Sequence, residues 1–203
     1  MIELIVVFSI VAILMAIGTQ AVQSAGEASR RTDCSNRLRK LNLAMQLFEN
    51  QHGFFPPNGG PDAQSTLVSV GGAVLQPYTD EVPTLILHYC GVGSNRWQPD
   101  RQTGSWAYSC LPQLELHDAR DADQFAIQFD VFRCPSRSRG TPQPPVTDTY
   151  AVYESGGHSM GKTDYCGNDQ VSALRPEFIR SSAITDGLST TIFSGDIQRR
   201  KGI

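Results

Sequence analysis

Glu3 is the side chain of this sequence whose chemistry most needs an explanation, because it is the only ionisable one among residues 1–25. Around it, residues 2–17 form an almost unbroken apolar run in which Ser9 is the only neutral polar residue. A carboxylate in the core of a bilayer costs several kilocalories per mole unless a cation or a hydrogen-bond donor meets it. The pattern therefore predicts a buried partner for Glu3.

The cysteines are the next candidates for chemistry, and there are five: Cys34, Cys90, Cys110, Cys134 and Cys166. None of them is in Cys-x-x-Cys spacing, and the four histidines are scattered through unlike segments, so a structural zinc site is disfavoured. Disulfides that reinforce an exported domain are the better interpretation.

Oxygen ligands suitable for calcium occur in two short segments, Asp164, Asn168 and Asp169 in one and Asp118, Asp121 and Asp123 in the other. Asp and Asn are also common in turns, which explains both groups without a metal. We expect no cofactor, with calcium at the first group as the alternative.

No motif for nucleophilic catalysis stands out. Gly-x-Ser-x-Gly is absent, and residues 156–161 predict a loop rather than a hydrolase elbow or a phosphate cradle, because no strong helical pattern follows them. The net charge is −3, and basic residues concentrate in residues 30–40 and 199–201, which argues against nucleic-acid binding. We expect neither enzymatic activity nor a nucleic-acid partner.

The apolar run, extended through residue 25, has the length of a membrane-spanning helix, since a hydrocarbon core about 30 Å thick needs about 20 helical residues. We call residues 1–25 the stem. A cleaved secretory signal should begin with basic residues and carry no acid in its apolar part, although Ser24 and Ala25 would suit a cleavage site. A plain signal anchor leaves Glu3 unpaired in lipid. The core helix of a soluble protein has no need of so long a charge-free stretch.

Residues 26–52 continue the helix in amphipathic form. Five apolar residues recur at intervals of four, three, four and three, and so share one stripe of a helix: Cys34, Leu38, Leu41, Met45 and Phe48. Gly53, followed by prolines at 56 and 57, is a strong stop signal. The sequence predicts one helix from about residue 2 to residue 51, about 75 Å long. Gly18, near the junction of its two halves, is either a close-packing position or a point where the helix can loosen.

Residues 53–203, which we call the head, contain all 12 prolines of the chain and no long amphipathic pattern. Runs of β-branched and aromatic residues predict strands at residues 83–90, 125–134, 148–154 and 190–194. Residues 111–116 and 182–186 predict short helical turns, with Ser182 as an N-cap. The expected fold class is α+β, in which the amphipathic half of a long N-terminal helix packs on a small antiparallel sheet with long loops.

Segments along the chain resemble one family. They are residues 2–7 (Ile-Glu-Leu-Ile-Val-Val), 21–23, 27–38, 52–57 (His-Gly-Phe-Phe-Pro-Pro), 105–107, 111–115, 132–136 (Phe-Arg-Cys-Pro-Ser), 163–168 and 183–192, which contains Thr-Asp-Gly. In this order they are similar to type IV pilin-like proteins and type II secretion pseudopilins, in particular the bacterial group that joins a prepilin segment to a C-terminal domain of unknown function. Residues 58–104 lack clear matches.

The resemblance implies a pilin-like fold and supplies a partner for Glu3. The corresponding acid of pilins is thought to pair with the N-terminal amine of a neighbouring subunit. Family prepilins carry a basic leader and a Gly-Phe processing junction before this acid, whereas the sequence begins at Met1 without either. Processing and N-methylation are therefore assigned to no residue.

The resemblance also implies a disulfide between Cys34 and Cys134, which fall in matching segments. The three other cysteines then hold at most one more bridge. We assign it to Cys110 and Cys166, which leaves Cys90 free.

Together these features predict a structural subunit of a type IV pilus-like or type II secretion pseudopilus-like filament. It would wait in the cytoplasmic membrane and polymerise with itself into a helical homopolymer, with the pilus or secretion assembly machinery as a further partner. Basic residues beyond the stem argue for a cytoplasmic head, but they begin about a dozen residues past the densest apolar run, where that rule weakens. We place the head outside the cytoplasm, in an extracellular or periplasmic filament after assembly. The alternative is a membrane-anchored periplasmic binding module that does not polymerise.

Overall fold

The computed structural model describes residues 2–60, 67–68, 71–72, 74–75, 93–121, 126–137, 158 and 161–196. One helix dominates it: α1 runs without interruption from Ile2 to His52, which confirms the predicted extent. Gly53 ends α1 because its backbone adopts a left-handed conformation, with a φ of 78° that favours glycine. The chain then turns back along the helix through Phe55, Pro56 and Pro57, all of them buried.

The core of the protein lies against the amphipathic half of α1. Leu41, Met45 and Phe48 are 0–2% exposed, and Cys34 and Leu38 of the same stripe are partly buried against the core, so the predicted stripe is confirmed. Head residues supply the other side of this core: Phe55, Trp106, Cys110, Leu111, Phe132, Cys134, Tyr165, Val171 and Phe193. Burial of this stripe, rather than helix propensity alone, holds residues 34–48 in place.

In the described part of the chain, two small antiparallel sheets accompany the helix. In the first, β1 (Leu67–Val68) pairs with β2 (Val74–Leu75). In the second, β3 (Tyr165–Gly167) pairs with β4 (Ser194–Asp196), with Cys166 opposite Gly195. Contacts join β4 to α1, and the Ser194 hydroxyl donates a hydrogen bond to the side-chain oxygen of Asn42. A long helix with a small antiparallel sheet is the α+β arrangement that the sequence predicts.

Short helical segments connect these elements. α2 spans Trp106–Ser109 and is capped by Ser105, whose side chain accepts a hydrogen bond from the Tyr108 N–H. α3 spans His117–Asp121. A 3-10 helix at Pro112–Leu114 confirms the turn predicted at 111–116. Another at Ser181–Ala183 overlaps the turn predicted at 182–186, but its N-cap is Arg180, so the prediction of Ser182 as a cap is wrong by two positions.

The strand prediction for residues 125–134 is wrong over the described residues 126–134, where a 3-10 helix spans Asp130–Phe132. The main-chain oxygens that a sheet would use have other partners. The Arg37 guanidinium donates to the oxygens of Asp130 and Arg133, and the Asp164 N–H donates to the oxygen of Phe132. These bonds to α1 and to the segment before β3 replace a strand ladder.

The strand predicted at residues 190–194 begins too early, because only its last residue, Ser194, belongs to β4. The preceding chain makes a turn instead, in which the Thr190 N–H donates to the Gly187 oxygen at 3.2 Å. Gly187 has a φ of 84°, which favours glycine, and the hydroxyls of Thr190 and Thr191 also donate to its oxygen, so the chain turns here. The strands predicted at residues 83–90 and 148–154 lie outside the described residues.

Candidate functional site: the exposed stem and its junction with the head

The stem is a bare apolar surface. Its large side chains are between 40% (Val11) and 73% (Val22) exposed. The most apolar stretch of the helix has no residue buried inside the protein. They are Leu4, Ile5, Val6, Val7, Phe8, Ile10, Val11, Ile13, Leu14, Met15, Ile17 and Val22. A contiguous apolar surface of this size marks a membrane or protein contact.

By length and composition, α1 is the one helix in the described part of the chain that could cross a membrane. Residues 3–25 of the stem span about 35 Å at 1.5 Å per residue, against a hydrocarbon core about 30 Å thick. The helix is therefore consistent with a membrane anchor or a signal sequence.

Glu3 lies exposed in the first turn of α1, and none of the described residues forms an ion pair with it. Two of the three stem hydroxyls donate within the helix, Ser9 to the Ile5 oxygen at 2.8 Å and Thr19 to the Ala16 oxygen at 3.1 Å. Residues 1–29 contain no Lys, Arg or His. No side chain of residues 1–29 can therefore supply a cation to Glu3.

A disulfide fixes the head to the helix above the stem. Cys34 of α1 is bonded to Cys134, with 4.9 Å between their Cα atoms and a sequence separation of 100. This is the pairing that the family resemblance implied, and it is confirmed. Because Cys34 lies nine residues beyond the last stem residue, the head covers only the upper part of α1 and leaves the stem bare.

Four polar contacts surround this disulfide and position the turn that carries Cys134. The Cys134 N–H donates to the buried Asp164 carboxylate at 2.8 Å, and the Tyr165 hydroxyl donates to the Cys34 oxygen at 3.2 Å. Tyr165 is also 3.4 Å from the Arg133 oxygen, to which the Arg37 guanidinium donates at 3.0 Å. We call the disulfide and these contacts the latch.

The second predicted disulfide is wrong, because Cys110 and Cys166 are both free thiols. Cys110 is fully buried in the core against α1, whereas Cys166 lies exposed on β3, where its sulfur is 3.5 Å from the Gly195 oxygen. Burial raises the pKa of the Cys110 thiol well above its usual range. Cys90 lies outside the described residues.

The residues proposed as calcium ligands have structural partners. One Asp164 oxygen belongs to the latch, and Asn168 donates to the Ile192 oxygen at 2.8 Å while accepting from the Gln170 N–H at 3.0 Å. Asp169 is exposed in the following turn. Among the described residues, no three His, Cys, Asp or Glu side chains are grouped to hold a metal ion. Calcium at Asp164, Asn168 and Asp169 stays a prediction without support from these contacts.

A charged cluster lies on α1 between the stem and the latch. Arg30 and Arg31 donate through their Nε atoms to the two carboxylate oxygens of Glu27, at 2.9 Å and 3.3 Å. The hydrogen bond from Arg30 holds the pKa of Glu27 below its usual value, helped by bonds from Arg31 and from the Ser136 side chain. Ser136 lies in the turn that follows Cys134, so this cluster lies at the edge of the head that is nearest the stem.

The sequence did not reveal the latch beyond its disulfide. Arg37, Asp164 and Tyr165 fall inside segments that resemble the family, at 27–38 and 163–168, and this was the one available signal. Their contacts join residues that are 30 to 131 positions apart, which no local pattern records.

The family model described as "Protein of unknown function (DUF1559)" matches residues 23–202, which is most of the chain. No curated protein and no solved structure matches this chain.

Proposed function

The chain belongs to the DUF1559 family of proteins of unknown function, and from this premise we propose that it is a structural subunit of a pilin-like filament. The filament would be of the type IV pilus or type II secretion pseudopilus kind. The observation that carries the proposal is the bare stem, which continues as the same rigid helix into the core of a head that is locked to it.

This architecture suits a polymer whose centre is a bundle of stems. A stem that protrudes about 35 Å from the head can pack against other stems while the heads stay outside. Contacts between unlike surfaces of identical copies do not close into a ring, and they produce helical filaments. Proposed partners are further copies of this chain, the assembly machinery of a pilus or secretion system, and the cytoplasmic membrane before assembly.

Glu3 favours a polymer over a simple anchor. Apolar side chains alone suffice to hold a protein in lipid, so an acid in the stem adds only a desolvation cost there. In a bundle of stems, the N-terminal amine of a neighbouring copy meets the carboxylate and both charges are neutralised. Positions 1–29 contain no basic residue that could supply this cation from the same stem.

The disulfide supports a head outside the cytoplasm. Disulfides persist in oxidising compartments and are rare in the reducing cytosol. Basic residues lie beyond the stem, but they begin about a dozen residues past its densest apolar run, where the positive-inside rule weakens. The proposed role is structural, without catalysis.

The test is a substitution at Glu3 in the full chain, expressed in its own host. Glu3→Ala should abolish filaments in sheared cell-surface material viewed by electron microscopy, because the neighbouring amine loses its counter-charge. The protein should remain in the membrane fraction with the Cys34–Cys134 disulfide intact. Glu3→Gln, which keeps a hydrogen-bonding group, should retain some assembly. Ser9→Ala is the matched control, since that hydroxyl bonds only within its own helix.

Two outcomes would contradict the proposal. Normal filaments from the Glu3→Ala variant would remove the role of the acid. A wild-type protein that stays strictly monomeric in its membrane would favour the membrane-anchored periplasmic binding module.

A further inference from the structure

Two exposed arginines lie where α1 leaves the stem. The side chains of Arg30 and Arg31 are 51% and 77% exposed, although both contact Glu27 through Nε. Their Nη groups form no hydrogen bond with a described residue, so each guanidinium keeps an edge of donors that faces solvent. We call Glu27, Arg30 and Arg31 the collar.

The height of the collar follows from helix geometry. Arg30 is five residues beyond the end of the stem, which is about 7.5 Å along the axis. The polar layer on each side of a bilayer is about 5–7 Å thick, and arginine side chains reach several ångströms toward it along their aliphatic part. If the stem fills the hydrocarbon core, the collar therefore lies in the headgroup layer.

The charge and shape of the collar fit phosphate groups. Two guanidinium groups and one carboxylate leave a net charge of about +1, and a planar guanidinium binds phosphate oxygens through two parallel hydrogen bonds. Glu27 accepts a hydrogen bond from each Nε atom, which leaves the Nη groups of both arginines as donors.

We propose that the collar binds the phosphates of anionic phospholipids around the stem, and thereby sets the depth and rotation of the subunit in the membrane before it assembles. This rests on the membrane-inserted stem of the proposed function. A second copy of the chain is a less suitable binding partner for the collar. The collar lies in the headgroup layer, where lipid phosphates are adjacent to every inserted stem.

The experiment uses the full chain reconstituted into phosphatidylcholine vesicles that contain spin-labelled phosphatidylglycerol or spin-labelled phosphatidylcholine. Electron spin resonance then gives the relative association of the two lipids with the protein. Each basic residue near a membrane surface strengthens binding to anionic lipid about fivefold. We expect the wild type to prefer phosphatidylglycerol about fivefold, and the Arg30→Gln/Arg31→Gln variant to lose that preference.

Two matched variants localise the effect. Arg39→Gln/Lys40→Gln removes the same charge from exposed positions about 13 Å higher on α1, which is beyond the screening length of about 8 Å at physiological salt. It should change the preference by less than about twofold. Glu27→Gln removes the negative charge that offsets the two arginines, so it should raise the preference for phosphatidylglycerol. If the collar only secured the head, this preference would not rise. Mass spectrometry of the Cys34–Cys134 disulfide checks that each variant retains the latch.

Several results would overturn the inference. Equal association of both lipids with the wild type would do so while leaving the membrane stem intact, and so would an equal loss in the Arg39→Gln/Lys40→Gln variant. Arginine variants that keep the lipid preference but fail to self-associate would assign the collar to a second copy. A chain that enters no vesicle would overturn both this inference and the membrane stem of the proposed function.

Discussion

The hydroxyl of Tyr165 donates a 3.2 Å hydrogen bond to the main-chain oxygen of Cys34, which lies 131 residues earlier in the chain. Cys34 is thus held twice, through its sulfur by Cys134 and through its oxygen by Tyr165. Both contacts fix the same point of α1, nine residues above the stem. The head is therefore attached to α1 at one defined position, Cys34. The length of the bare stem is then the same in every copy of the protein.

Removal of the disulfide should destabilise the head without releasing it completely. We expect Cys34→Ser/Cys134→Ser to lower the free energy of unfolding by about 2–5 kcal/mol, because the denatured chain regains the freedom of a long loop. Urea denaturation in detergent, followed by tryptophan fluorescence, measures this, since Trp106 is buried in the core. Cys166→Ser, at an exposed free thiol, is the control and should shift stability by less than about 0.5 kcal/mol. Equal effects of the two changes would contradict the structural role of the disulfide.

Tyr165→Phe removes the hydroxyl of the latch and should cost about 0.5–1.5 kcal/mol at neutral pH. The effect should depend on pH. Burial raises the pKa of Tyr165 above its unfolded value of about 10, so its contribution is complete below that pH and is lost as the pH rises through the folded pKa. The stability difference between wild type and variant should shrink above about pH 10. A difference that is the same at pH 7 and pH 11 would count against a buried Tyr165 hydroxyl.

Two leucines of α1 test which face of the helix the head covers. Leu41 is fully buried, whereas Leu43 is 55% exposed. Leu41→Ala should cost about 2–5 kcal/mol, because it leaves a cavity between the helix and the head. Leu43→Ala should change the stability of the detergent-solubilised monomer by less than about 0.5 kcal/mol. Both substitutions have the same effect on helix propensity, so similar losses in urea denaturation would mean that the head covers a different face.

The two free thiols should differ in reactivity. In a Cys90→Ser background, iodoacetamide should label Cys166 in the native protein, because that side chain is exposed. Cys110 should react only as the protein unfolds, since burial excludes the reagent and the raised pKa of Cys110 disfavours the reactive thiolate. Peptide mass spectrometry at increasing urea concentrations checks both expectations. Labelling of Cys110 at zero urea, or a bridge between the two sulfurs, would contradict the arrangement of the core.

The strand predicted at residues 125–134 shows why sequence patterns failed in the head. Phe129 and Phe132 suit a strand, yet Arg37 of α1 binds the main-chain oxygens on either side of Phe132, and the Asp164 N–H binds the oxygen of Phe132 itself. The choice between strand and 3-10 helix was made by partners far away in sequence. The pairing of Cys110 with Cys166 failed for a related reason, because composition does not reveal that one thiol is buried and the other exposed.

The sequence by itself determined the long helix, its stop at Gly53, the stripe that faces the core and the apolar stem with its single acid. Each of these depends on residues within a few turns of one another, and local geometry translates their spacing directly into structure. Tertiary structure alone decided where the head stops on α1, which thiols remain free and how Tyr165, Asp164 and Arg37 surround the disulfide. Those outcomes depend on the burial and hydrogen bonding of groups that meet only after the chain has folded back on its helix.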